Sequence, residues 1–457
     1  MTVSTQRRVA RKVNGRVVPI LAGAFAIAFL DRLNISIGAL QMRADAHLSA
    51  SAFGLGAGIF FISYFVFEVP SNLILHRVGA RRWIARIMWS WGLVTIATMF
   101  VSGPVSFYIL RALLGAAEAG FVPGVVFYLS QWYPGGERGR AFAWFQLAVP
   151  VSFAFGSVLT GALLDLNGLA GLRGWQWIFI VTGAIAVLYA FVFWFFVPDK
   201  PAEAKWLTDE ERSWLTESLR SEHEQKLEAG EQSLRASFTN PRVWYFSLLY
   251  FTIILAQWGI GFWLPQILAK RFSAASDFQV SLLSAAPWLL ALVAIVPVAR
   301  HSDRTGERRW HLAVPCVISA IGFAFSVYLS QPYLALAGIA VALIGLMAAV
   351  PVFWNQPTAC LTGLAAASGF AVINSVGNLS GFVGPYLLGL VTQATGSASG
   401  GVLLLALSLV IAAFLAVLGP RQAVQEQRTS AWTKAAGPAE GEPDDKQHSD
   451  KASFGRE

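Results

Sequence analysis

His76-Arg77-Val78-Gly79-Ala80-Arg81-Arg82-Trp83 and Asp303-Arg304-Thr305-Gly306-Glu307-Arg308-Arg309-Trp310 are two copies of one octet, set 227 residues apart in a chain of 457. A second echo has nearly the same offset: Gly156 and Gly161 recur as Gly384 and Gly389, 228 residues on. Chance spacing of glycines accounts for the second match alone, but not for an eight-residue match at half the chain length. The chain therefore reads as a duplication. Repeated halves that enclose a central site are a recurrent design in membrane transport.

The sequence around the octets cannot face water. Hydrophobic residues make up 55% of the chain and charged residues 13%, and the mean hydropathy is +0.55. Apolar stretches of about 20 residues, enough to cross a ~30 Å hydrocarbon core, recur along it. Twelve are predicted, the first over 17–38, the fourth over 105–130, the fifth over 139–165 and the last over 399–418. The expected fold is an all-α integral membrane protein with twelve transmembrane helices in two pseudo-symmetric six-helix bundles, 17–197 and 242–419. A basic tail (1–16) precedes them, and a Gly-, Pro- and charge-rich tail (420–457) of disordered composition follows. The linker 198–241 is polar. Within it Thr208 and Glu211 form a capping-box pattern ahead of Trp214, Leu215 and Leu219, which predicts a short amphipathic helix.

A net charge of +8 from 34 Lys and Arg against 26 Asp and Glu would suit a nucleic-acid binder if the charges were clustered. Their distribution argues otherwise. With the N-terminus in the cytoplasm, 27 fall in the tails and even-numbered loops, 4 in the opposite loops and 3 inside helices. That bias places both termini in the cytoplasm of an inner (plasma) membrane and removes nucleic acid from the expected partners. Residues 17–30 follow basic residues as a signal-peptide core would, but Asp31-Arg32 follow with no small-residue cleavage site. Cys316 and Cys360 fall in or at the ends of predicted helices and imply no disulfide.

An enzyme is the rival of another class. All six His (47, 76, 223, 301, 311 and 448) lie in loops, helix ends or tails, so none is available as a buried base or metal ligand. No Lys follows a Gly anywhere, which excludes a Gly-x-x-x-x-Gly-Lys phosphate loop. No cofactor is called for. A solute sensor that binds without transporting remains open, as does an exporter or antiporter.

The octet resembles the loop signature of the major facilitator superfamily, Gly-x-x-x-Asp-Arg-x-Gly-x-Arg-Arg between the second and third helices. Here Asn72 replaces the first Gly and His76 replaces the Asp. More specific strings are Phe29-Leu30-Asp31-Arg32-Leu33-Asn34, Phe67-Glu68-Val69-Pro70-Ser71-Asn72, Leu110-Arg111-Ala112-Leu113-Leu114-Gly115-Ala116-Ala117-Glu118-Ala119-Gly120 and Ile373-Asn374-Ser375-Val376-Gly377-Asn378. Together these resemble the anion:cation symporter family, in its bacterial branch associated with tartrate-like hydroxy acids and 4-hydroxyphenylacetate. The resemblance covers 17–418. It implies proton-driven uptake of a small organic anion; the expected partners are that anion, a proton and the lipid bilayer, and the expected state is a monomer.

Charged residues inside a spanning helix are costly and mark candidate sites. Asp31, Arg32 and Arg111 are expected at one level, with Glu118 two turns beyond Arg111 on nearly the same face. Guanidinium groups bind carboxylates as a fork, which suits Arg32 and Arg111 to an anion. Carboxylates withdrawn from water can exchange a proton, which suits Asp31 and Glu118 to coupling. The alternative is a static buried ion pair. Tyr64 and Asn374 match family positions that contact substrate; Gln146, Gln257, Trp258, Trp354 and Asn378 are further neutral candidates. Glu68 and Arg86, near helix ends, read as structural. Arg77, Gly79 and Arg81, with Asp303, Arg304, Gly306 and Arg308, are expected to form the gating loops. The topology has a direct check: a cysteine placed at Ser430 should react with an impermeant thiol reagent only from the cytoplasmic side, and labelling of intact cells there would overturn it.

Overall fold

In the computed structural model the described residues are 3–133, 135–228, 238–361 and 364–419, with side chains described for all of these except 3–7, 135–148, 222–228, 359 and 364–367. The tail 420–457 and the side chain of Gln146 lie outside the described residues. The helices of the first half are α1 (Val3–Arg16), α2 (Val18–Asp45), α3 (Ala50–Val78), α4 (Ala80–Ala97), α5 (Pro104–Glu118), α6 (Phe121–Ser130), α7 (Gly135–Leu164) and α8 (Gly174–Phe196). After the linker helix α9 (Asp209–Glu228) come α10 (Pro241–Arg271), α11 (Asp277–Thr305), α12 (Arg309–Tyr328), α13 (Pro332–Cys360), α14 (Leu364–Thr395) and α15 (Ser399–Leu418). Ten spans among the described residues are long and apolar enough to cross a membrane, with α5 and α6 together forming one of them. The 30-residue α7 and the 32-residue α14 complete twelve crossings in two sets of six.

Two stretches differ from the sequence reading. The fourth span is not one helix over 105–130. It breaks after Glu118, where Ala119 turns extended (ψ 133°) and Gly120 adopts a left-handed φ of +86°. An added Cβ at Gly120 would strike the Ser71 side chain, so both conformation and space require glycine. The N-terminal segment 1–16 is also more than a tail. Val9, Val13 and Val17 recur every fourth residue and are buried, which folds α1 against the body of the protein.

The duplication is visible in the backbone. Gly79 and Gly306, equivalent in the two octets, both take a positive φ, +95° and +68°, at the boundary between consecutive helices. Gly156 and Gly384 face α2 and α10, the first helices of their halves, at Leu30 and at the Leu255 carbonyl. Gly161 and Gly389 each face the other half, at Ser281 of α11 and at Ala50 and Gly54 of α3. Small residues thus let helices of opposite halves approach closely. At this end Phe153 of α7 packs on Trp288 of α11 with ring centroids 4.0 Å apart. Gln41 of α2 donates to Asp277 of α11 at 2.8 Å. The end away from the termini is closed.

Toward the termini α3 stands freer. Phe65, Val66 and Phe67 are all exposed, and three consecutive helical residues at 100° steps cover more than half the circumference. In the octet loops Arg81 donates its backbone N–H to Asp199 at 2.9 Å, while His76 packs edge-on against Phe127. An acid thus reaches this loop from Asp199, three residues beyond α8. In the second loop Asp303 accepts from Asn355 and Arg308 donates to the Asn355 carbonyl; Arg77 and Arg304 are exposed.

The linker docks on α1. Thr208 and Glu211 exchange hydrogen bonds at 3.0 and 3.3 Å, and Glu211 accepts from Lys12 at 2.6 Å. Burial opposes ionisation of Glu211, but Lys12 and Thr208 outweigh it and hold its carboxyl below the ordinary value of 4.5. A carboxyl held low stabilises its contact above its unfolded value and loses that contribution as pH falls through the folded one. Lys12→Gln should cost on the order of 1 kcal/mol or less, because half-exposed ion pairs are weak. Backbone exchange over 8–16 should therefore rise up to ~5-fold at pH 7 and hardly at all at pH 3. Equal effects at both pH values would contradict this.

Candidate functional site

The charged residues of the first half meet where α5 breaks. Arg32 on α2 directs both Nε and Nη2 at a single oxygen, Oε1 of Glu118, each at 2.6 Å. Glu118 is the last residue of α5 and is fully buried, and its Oε2, also buried, has no hydrogen-bond partner among the described residues. Rings surround the guanidinium: Phe29, Phe60, Tyr64 and Trp258 have centroids 5.1–6.0 Å from Arg32 Cζ. The first three belong to one half, and Trp258 comes from α10 of the other. Such faces favour a desolvated cation by roughly 0.5–2 kcal/mol each. Trp258 itself stacks with Phe29 and packs against Phe61.

Asp31 lies on a different side of α2. Its Oδ2 accepts from Thr95 of α4 at 2.7 Å and its Oδ1 from Asn34 at 2.9 Å. The same Asn34 amide reaches Thr182 of α8 at 3.0 Å. Asp31 is therefore sealed among α2, α4 and α8, one residue and 100° around from Arg32. Arg111 is also enclosed: it donates to the carbonyls of Gly56 and Ala57 on α3 at 3.3 and 3.5 Å and lies over Phe60. It stands in the electrostatic field of both Asp31 and Glu118. The four groups form a buried set of two cations and two anions, with Arg32–Glu118 its closest ion pair.

The second-half candidates are placed separately. Gln257 is buried beside Trp258. Trp354 belongs to a ring cluster with Tyr250, Phe353 and Phe370, at centroid distances of 4.9–6.4 Å. Asn374 and Asn378 sit half-buried one turn apart on α14, and neither makes a hydrogen bond to a described residue. Between them Ser375 donates to Glu68 of α3 at 3.4 Å, so Glu68 bridges the halves instead of pointing at lipid headgroups. Sequence reasoning missed Thr95, Thr182 and Tyr250. A single Thr or Tyr in an apolar helix carries no pattern, whereas Asn34 lay in view one turn after Asp31.

The profile of the Major Facilitator Superfamily matches residues 20–385. The chain belongs to that superfamily. It is a multi-pass membrane protein and a solute transporter, not an enzyme. A protein of Agrobacterium vitis named "Putative tartrate transporter" is 44% identical over 429 residues, 94% of this chain and 95% of that one. An Acinetobacter baumannii protein named "Quinolone resistance transporter" is 38% identical, over 90% of this chain and 94% of its own. Among solved structures, a bacterial homologue of the human lysosomal transporter Spinster, in an inward-facing and occupied conformation, has a TM-score of 0.74 at 17% identity. That match covers 90% of this chain and 97% of the other and speaks for the fold alone.

The enclosure of Arg111 gives a test. Arg111→Lys keeps the charge but loses the planar fork that reaches two carbonyls of α3. It should lower thermal stability, since charged buried hydrogen bonds contribute about 1.5–3 kcal/mol each, while changing anion affinity less than ~3-fold. Unchanged stability with a large loss of affinity would place Arg111 in direct contact with the anion.

Proposed function

We propose that this transporter takes up a small organic anion together with a proton, and that the anion replaces the Glu118 carboxylate at Arg32 when Glu118 takes up the proton. The observation that carries this reading is the Arg32–Glu118 pair, in which two guanidinium donors are spent on one carboxylate oxygen and the other oxygen has no partner among the described residues.

With Asp31 and Glu118 ionised, the buried set is neutral and has no need of another ion. A proton on Glu118 weakens its hold on Arg32 and leaves one uncompensated positive charge. A substrate carboxylate then restores neutrality and takes over the guanidinium fork. An anion arriving without the proton would bring a surplus buried negative charge, which costs several kcal/mol. Proton and anion therefore load together and leave together, and a proton gradient drives accumulation. Asp31 balances Arg111 and so belongs to the same proton count. Tyr64 and Trp258 would hold the body of the substrate against Arg32. Gln146, Gln257, Trp354, Asn374 and Asn378 would offer it neutral contacts as the halves rock over the octet loops.

The relative named for tartrate and the cationic centre support an organic acid, which makes tartrate the first probe and 4-hydroxyphenylacetate the second. The relative named for quinolone resistance supports outward transport as the second reading. The Lys and Arg distribution supports cytoplasmic termini and hence a cavity open toward the cytoplasm.

In proteoliposomes with a pH gradient as the only driving force, Glu118→Gln and Asp31→Asn should both exchange labelled substrate across the membrane but fail to accumulate it. Glu118→Gln, which frees Arg32, should also bind the anion more tightly than the parent at pH 8, by up to ~10-fold for each 1.4 kcal/mol released. Asp31→Asn should not. Uphill accumulation by Glu118→Gln would remove Arg32–Glu118 from the coupling mechanism.

A further inference from the structure

At the closed end, away from both termini, a cavity of about 480 Å³ opens among α2, α10, α12, α13, α14 and α15. Three cations line it, Arg43, Lys270 and Arg271, and among the described residues no Asp or Glu does. Arg271 has a structural task, since it donates to the Ser326, Val327 and Leu329 carbonyls and caps the C-terminal end of α12. Lys270 spends one bond on the Gly396 carbonyl at 2.7 Å and keeps two donors. Arg43 has a single long hydrogen bond, from Nε to the Leu48 carbonyl at 3.4 Å, and lies over the Phe53 and Trp263 rings.

Two residues of the wall, Gln266 and Thr392, each carry a buried polar atom with no partner among the described residues, Oε1 and Oγ1 respectively. Leaving such an atom unsatisfied is costly, which marks a place where a ligand or water completes the wall. The set has a chemical meaning. Arg43 and Lys270 can donate to an anion, and a small turn of Thr392 and Gln266 would bring to it a further hydroxyl donor and an amide oxygen that accepts from a hydroxyl on the ligand. The N-terminus of α15, at Ser399 on the same wall, adds its own preference for negative charge.

We propose that this cavity is a second anion site, distinct from Arg32, which holds a hydroxylated anion at the mouth of the closed gate. Trp263 belongs to the gate itself, since it packs on Phe53 of the other half and donates to the Pro385 carbonyl. An anion drawn to Arg43 is therefore held against the contact that must part before it enters. A hydroxy-carboxylate and the phosphate headgroup of an anionic lipid share this chemistry.

The test uses the whole protein in nanodiscs of phosphatidylcholine, titrated with tartrate, with Arg32→Gln as background so that the central site is silent. A binding component should survive in that background. It should weaken at least ~10-fold in Arg43→Gln and in Lys270→Gln, and discriminate against succinate, which lacks hydroxyls. Ser330→Asp, on the exposed wall of the cavity in the otherwise unchanged chain, should weaken the same component without touching the Arg32 site. If phosphatidylglycerol in the nanodisc abolishes the component, the site is filled by lipid headgroup; if not, by the soluble acid. No surviving component in Arg32→Gln together with no effect of Ser330→Asp would overturn the proposal, as would a component indifferent to Arg43, Lys270 and Ser330. Failure here leaves the Arg32 reading intact, because that reading is tested in the absence of these substitutions.

Discussion

A guanidinium and a carboxylate enclosed in a membrane protein have few alternatives to each other. Arg32 and Glu118 are both nearly inaccessible to water, so separating them without a replacement strands two charges in a medium that solvates neither, at a cost of several kcal/mol. The surrounding structure serves this one contact. The break at Ala119-Gly120 ends α5 at Glu118, so the carboxylate sits at a helix terminus and not on a continuous helix wall. The Tyr64 ring lies beside the Arg32 guanidinium, its centroid 5.1 Å from Cζ. Rings on all sides exclude water and leave the charges to be answered only by each other, by a proton or by a substrate.

On the proposed mechanism the duplicated frame would convert that local exchange into movement. Trp258 brings the second half into contact with the cation, and Glu68–Ser375 ties α3 to α14 farther toward the termini. At the opposite end small residues let α3 meet α14 and α7 meet α11 closely, forming a seal of backbone and ring contacts with few polar ties. Contacts of this kind can part and re-form with little electrostatic penalty, as alternating exposure of a central site requires. The ring of Trp258 places Arg32 where the two halves meet, so a change of charge there would act on their contact.

Much of this was legible in the sequence, and the limits have physical causes. The octets revealed the duplication because a left-handed glycine between consecutive helices is needed in both halves, and Gly79 and Gly306 both supply it. The intramembrane charges announced themselves because the bilayer makes them expensive. Residue counting set Asp31, Arg32 and Arg111 at one level and Glu118 two turns deeper, but the long Arg32 side chain spans that offset and meets Glu118 at 2.6 Å. Direction around a helix depends on neighbours that counting does not supply, and so Asp31 was expected beside Arg32 in a cavity when it faces Thr95 and Asn34. The α5–α6 break was hidden because Gly120 sits in an apolar run where glycine is common. The folding of α1 was hidden because Val9 and Val13 are sparse among basic residues.

The central claim is that a proton must replace Arg32 on Glu118 for an anion to bind, and counting protons tests it most directly. Purified protein in weakly buffered solution near pH 7 would be mixed with 4-hydroxyphenylacetate, which carries a single charge at this pH, while a pH indicator records protons taken up per anion bound. About one proton per anion is expected for the parent chain, and close to none for Glu118→Gln, whose neutral amide already stands in for the protonated acid. Saturable anion binding by the parent chain with no proton uptake, or equal uptake by Glu118→Gln, would contradict it.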